Sequence, residues 1–215
     1  MPRIGNRRLI VAIACCLAAS LLAACGQSPE DRLARAIQND DSYTVRKMLE
    51  KGVDPNLDMG NGSRAIHLAA SEGSNATIGV LLEYGANIDY VDSLFGSPLA
   101  NAATEGHIVA MQLLLRGGAD VSAVNCAGIT SLHWAALFGQ TEAIGLLLAA
   151  GANVDSQAPT GATALHWAAR NDQIESIRLL LEAGAKMDRR TTEGSTALHL
   201  AAHRQSSRGA DQDEQ

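Results

Sequence analysis

Four histidines recur in register along this chain. They stand in Ile66-His67-Leu68-Ala69-Ala70, Leu132-His133-Trp134-Ala135-Ala136, Leu165-His166-Trp167-Ala168-Ala169 and Leu198-His199-Leu200-Ala201-Ala202. The first two are two periods of 33 residues apart, and the others follow at single periods. Imidazole is the commonest metal ligand and a ready proton carrier, so the series invites a zinc reading. Zinc needs donors about 2 Å from a single ion. Residues on successive packed helices are displaced by roughly 8–10 Å per layer. The spacing therefore favours a structural role for His67, His133, His166 and His199. His107 and His203 fall at helix ends or loops and are expected to face solvent.

Nothing else in the chain assembles a catalytic motif. There is no G-x-S-x-G, no P-loop, no G-x-G-x-x-G and no H-E-x-x-H. Acidic pairs such as Asp40-Asp41 read as helix-start residues and solvated surface. The 215 residues carry a net charge of −6, and aromatic residues make up only 3%. The acidic balance argues against nucleic acid, because phosphate binding needs clustered Lys and Arg. So few rings argue against a large planar-cofactor pocket. The expectation is a non-catalytic chain with no cofactor and no metal.

The elements that carry these residues follow from the same period. Gly52, Gly85, Gly118, Gly151 and Gly184 are also 33 residues apart, and apolar runs such as residues 146–148 precede them. Two series locked in phase mark an internal repeat. Thr163 can cap a helix beginning near Ala164. Gly106 and Gly139 sit where that kind of helix must stop in a left-handed conformation. A second helix holds Ile144, Leu146, Leu147 and Leu148 and ends at Gly151. Neither helix would persist alone at such a length. Stacking on neighbours is the way to bury the Leu-rich face, which gives a one-dimensional solenoid.

These strings resemble the ankyrin repeat, whose signature is G-x-T-P-L-H-x-A-A followed by a Leu-rich stretch and G-A-D-x-N. The matches are Gly128-Ile129-Thr130-Ser131-Leu132-His133, Gly161-Ala162-Thr163-Ala164-Leu165-His166, Gly118-Ala119-Asp120 and Gly151-Ala152-Asn153. The resemblance implies an all-α solenoid of paired antiparallel helices with connecting β-turns or hairpin loops. It covers residues 31–205, as a capping unit over 31–58, four full units near 59–91, 92–124, 125–157 and 158–190, and a half unit from Thr191. Residues 206–215 read as a polar disordered tail. The resemblance also implies that the repeat histidines bond backbone and tie neighbouring turns.

In such arrays, partners contact turn tips and the outer face of the first helix. Here Leu94, Phe95, Ile129, Leu137 and Phe138 put apolar groups at normally solvated positions of two adjacent units, and Phe95 stands where the repeat usually has Gly. Such clustering marks a contact site, or the side chains fold back onto their own turns. Trp134 and Trp167 share a slot that holds Leu68 and Leu200 in other copies. They read as core packing between units, or as rings at the edge of a binding surface. The implied function is protein binding by a monomer with an unidentified protein partner. Cys126 lies at a turn position expected to be exposed.

The first residues carry an address. Arg3, Arg7 and Arg8 precede an apolar run over 9–24, which is 16 residues and short of the roughly 20 that span a bilayer. A basic region before a short apolar one reads as a secretory signal. The end of the run, Leu22-Ala23-Ala24-Cys25-Gly26, resembles a bacterial lipoprotein signal. That implies a signal peptide over 1–24, lipid on Cys25, and a short linker over 25–30. An ordinary signal peptide and a short anchor are the other readings. Removing 1–24 takes away three Arg and no acid, so the net charge goes from −6 to −9. The expected location is the bacterial cell envelope, on the membrane through the lipid. Gly26 resembles outer-membrane sorting, which places the domain on the periplasmic side if the source is Gram-negative. The expected role is an adaptor or stabilising partner of an envelope protein, with an immunity-type inhibitor of an envelope-acting toxin as the alternative.

Overall fold

The computed structural model describes residues 28–59, 62–92 and 94–210, with side chains of the last helix described to His203. The proposed signal and Cys25 lie outside the described residues. Those residues form eleven helices and no β-sheet. The first pair is α1 (Pro29–Gln38) and α2 (Ser42–Glu50), followed by α3 (Ala65–Glu72) with α4 (Asn75–Glu83) and α5 (Pro98–Glu105) with α6 (Ile108–Arg116). Then come α7 (Ser131–Phe138) with α8 (Thr141–Ala149), α9 (Ala164–Arg170) with α10 (Ile174–Glu182), and α11 (Ala197–Ala210). None is long and apolar enough to cross a membrane.

Local chemistry sets the helix starts. Ser28 accepts a hydrogen bond from the Asp31 N–H ahead of α1, and Ser97 accepts one from Ala100 ahead of α5. Each of those helices opens with proline, which has no N–H to leave unpaired. Ahead of α7 and α9 the caps are Thr130 and Thr163. The turns between units fold as short hairpins, two of them pinned by the antiparallel bridges Asp58–Arg64 and Val124–Thr130.

Packing runs in one dimension. Each first helix packs on the first helix of the next unit, each second helix on the next second helix, and the two helices of a pair on each other. Small pairs allow the close approach of first helices: Ala69 and Ala70, Ala102 and Ala103, Ala135 and Ala136, and Ala168 and Ala169 are all buried. Second helices supply bulk from Ile78, Leu81, Met111, Leu114, Ile144, Leu147 and Leu180. Each such side chain contributes about 1.5–3 kcal/mol on burial, so the array is held together mainly by contacts that no unit could make alone.

Both ends differ in detail from the sequence reading. Helix α1 begins at Pro29, two residues before the array was expected to start, so the end of the expected linker is already helical. Helix α11 continues through residues 206–210, where a disordered tail was expected. No Leu-rich second helix follows His203, but the residues after it are free of proline and can extend the helix already formed. On α11, Leu198 is 76% exposed, whereas its counterparts Leu132 and Leu165 are 2% exposed.

A steric rule governs the stops of the first helices. Gly73, Gly106 and Gly139 are left-handed, at φ 68, 75 and 70. A Cβ there would press on the side chain of the next unit: 2.8 Å from His107 Nδ1 at Gly73 and 2.6 Å from Gln140 Oε1 at Gly106, with Gln173 Oε1 in the same place at Gly139. At the equivalent position of the first unit the covering residue is the small Ser74, and the left-handed residue is Asp40, at φ 48. Its carboxylate accepts from the Ala76 and Thr77 N–H groups and caps the next second helix. Gly139→Ala should therefore cost about 2–3 kcal/mol, combining roughly 1–2 for left-handed strain with about 1 for the Gln173 hydrogen bond it displaces. Gly151→Ala, with open space around it, should cost the strain alone. Equal losses in urea unfolding would contradict the contact.

Candidate functional site

The repeat histidines link one unit to the next. The Nδ1 of His133 accepts from the Thr130 N–H, and that of His166 from the Thr163 N–H. This fixes the proton on Nε2, which donates to the following turn: His67 to Tyr90 O at 2.9 Å and Gly96 O at 3.1 Å, His133 to Ala162 O at 3.2 Å, and His166 to Ser195 O at 3.3 Å. His199 has the inner half of this arrangement, with its Nδ1 2.7 Å from Thr196 Oγ1. Burial pushes His67, His133 and His166 below the ordinary imidazole range, and the Asp92 charge beside His67 and the backbone acceptors of all three only partly oppose it. Among the described residues no cluster of His, Cys, Asp or Glu is arranged to hold a metal.

Between His67 and His199 one link in this series is missing. Ala100 stands where the third unit would carry its histidine, and it has no ring to donate. At that same junction Trp134 Nε1–H donates to Phe95 O at 2.9 Å, and Asn125 Nδ2–H to Leu94 O at 3.1 Å. The backbone permits this because the turn is reshaped. Gly62, Gly128, Gly161 and Gly194 all have positive φ at the slot that Phe95 fills. In the third unit the positive φ moves one residue on, to Gly96 at φ 108. A Cβ on Gly96 would stand 3.0 Å from Asn125 Cβ.

That junction gathers aromatic rings. Phe95 meets Trp134 edge-to-face at 5.1 Å between centroids, and Trp134 meets Trp167 edge-to-face at 5.6 Å. Phe138 lies parallel to Trp134 at 6.3 Å, and the His133 ring abuts Trp167 at 5.7 Å. The chain contains two Phe and two Trp, and all four belong to this one cluster. Each remains half-buried, and Leu137 beside them is half-buried too. Leu94 is 52% exposed at the turn tip, and Cys126 is exposed on the next tip. The two readings of the tryptophans therefore merge: they pack between units and still present surface.

Two expectations fail. Ile129 was grouped with the exposed apolar residues, but it is only 7% exposed. It directly precedes a helix cap, where the hairpin turns inward, and Ala162 at the same slot is equally covered. Its N–H also donates to Asn125 Oδ1. His107 was expected to face solvent, but it is half-buried and its Nε2 bonds Ser71 O at 3.0 Å. It belongs to a second ladder, in which the residue before each second helix donates to the end of the preceding first helix: Ser74 to Ile37 O, Gln140 to Thr104 O and Gln173 to Leu137 O. The sequence conceals this ladder because Ser, His and Gln share a function there without sharing a residue type.

A wider feature of the same face is a pair of acids. Glu72 and Glu105 end α3 and α5, at the position that Phe138 holds on α7. Partial burial raises the Glu72 carboxyl above its ordinary range; His107 opposes the shift and Glu105 adds to it. The family model for ankyrin repeats matches this chain three times, over residues 33–125, 91–158 and 132–210.

The buried histidines make stability depend on pH. Their folded-state values lie below the unfolded value of roughly 6.5, so the unfolded chain binds protons first as pH falls. Their contribution is complete above that value and is lost as pH drops toward the depressed folded values. The urea midpoint should fall between pH 7.5 and 5, and His133→Gln should flatten part of that fall. A midpoint unchanged over this range would show that the rings are not held neutral.

Proposed function

Because this chain belongs to the ankyrin-repeat family, a family of protein-interaction modules, we propose that it binds a protein partner across the first-helix face of its third and fourth units. Fold alone does not assign a role. The observation that carries the reading is the aromatic cluster: every Phe and Trp of the chain lies there, half-exposed, around Trp134. Binding energy concentrates in a few large aromatic side chains held near the centre of an interface. Trp134 and Phe138 sit on α7 and Trp167 on α9, so three of the rings are fixed on helices, where geometry is better held than on loops.

The address supports a location. Arg3, Arg7 and Arg8, the apolar run and the Leu22-Ala23-Ala24-Cys25 box favour a lipid anchor on Cys25, with the array facing the periplasm or its equivalent. Two or more acyl chains would hold it stably on a membrane, where one would hold it only marginally. The role that fits is an adaptor or stabilising partner for an envelope protein. A toxin captured in the partner experiment would turn it into an immunity-type inhibitor.

The test joins both parts. Crosslinking in intact cells should capture one partner in the membrane fraction, and that partner, once purified, should bind the parent chain. Phe95→Ala and Phe138→Ala should each weaken binding about thirtyfold, the equivalent of about 2 kcal/mol, and both variants should stay with the membranes. Cys25→Ser should leave the membranes. Phe variants that bind like the parent would overturn the proposed surface, and a Cys25→Ser chain that fractionates like the parent would overturn the anchor.

A further inference from the structure

We propose that the partner segment received on this face is extended and basic, presenting two cationic side chains about three residues apart, followed at the same spacing by an apolar one. This rests on the reading that the face binds protein, and adds the chemistry of what is bound.

The register sets the spacing. Glu72, Glu105, Phe138 and Asn171 occupy one position of successive first helices, 33 residues apart. Packed helix layers lie roughly 8–10 Å apart, and an extended chain advances about 3.3 Å per residue. A strand laid along the row therefore passes one unit about every three residues. It meets carboxylate, carboxylate and aromatic ring in turn.

Charge selects what lies there. Among the described residues, Glu50, Glu83, Glu175, Glu182 and Asp155 all sit within ion-pair distance of Lys or Arg. No such pair engages Glu72 or Glu105. Glu72 is exposed, and the charged neighbours that act on it are its like-charged counterpart Glu105 and the His107 ring. A neutral or acidic segment laid along the row would bury these carboxylates with no compensation, which is costly. A cationic segment removes that penalty and is steered toward an acidic chain.

Trp134 and Trp167 are the two tryptophans of the chain, so their fluorescence reads the site directly. The full chain would be titrated with a serine-rich peptide carrying two lysines and a leucine, each separated from the next by two residues. The expected result is a saturable change in emission that weakens about tenfold in the double variant Glu72→Gln, Glu105→Gln. It should weaken similarly in about 0.5 M salt, where the Debye length is only a few ångströms. A peptide with glutamine in place of lysine should bind at least tenfold more weakly. The inference is overturned if the glutamine peptide binds as well, if the double variant binds like the parent, or if no saturable change occurs. Failure of the underlying surface reads differently: the captured partner would then bind Phe138→Ala as it binds the parent.

Discussion

Each buried repeat histidine joins two bonds in one ring. Its Nδ1 accepts the N–H that caps its own helix, and its Nε2–H reaches the turn of the next unit. Helix start and unit stacking are therefore set by the same side chain, and both require the ring to be neutral. The helices are short, seven residues in α9 and eight or nine in most others. None could persist in water without neighbours. The interaction that joins a cap to the next turn is thus the one through which local structure becomes tertiary structure.

The site follows from its absence at the junction of the third and fourth units. With Ala100 in the histidine's place, the third and fourth units are tied from the other direction, by the Trp134 indole to Phe95 O. This slot is half-exposed in the Leu copies too, at Leu68 and Leu200, and an indole presents a larger surface there. It stays half-exposed and recruits Phe95, Phe138 and Trp167 around it. A structural substitution and a surface suited to recognition are in this sense one event. Glu72 and Glu105 extend that surface toward the N-terminal end of the array.

Much of this was legible in the residues. The 33-residue step, the Thr caps and the left-handed glycines fixed the repeat unit, since each rests on a residue type with a single backbone or hydrogen-bonding purpose. The aromatic patch was legible as a departure from pattern, with Phe95 standing where its counterparts are glycine. Ile129 was misplaced because spacing along a hairpin does not show which way the hairpin curls. The ladder through Ser74, His107, Gln140 and Gln173 was missed because it conserves a donor and not a residue. Pairing Gly139 with Gln173, or Asp40 with Ser74, becomes visible only when two units are seen in contact.

If the rings around Trp134 serve recognition, they add less to stability than core side chains do. Comparing the unfolding free energies of Phe138→Ser and Leu132→Ala in urea separates the two roles. Leu132 is 2% exposed in the core, so its truncation should cost about 2–5 kcal/mol. Loss of the half-buried Phe138 ring should cost about 1–2 kcal/mol, from one stacked aromatic pair and its partial burial. Equal losses for the two variants would mean that the rings are core, and would contradict the account.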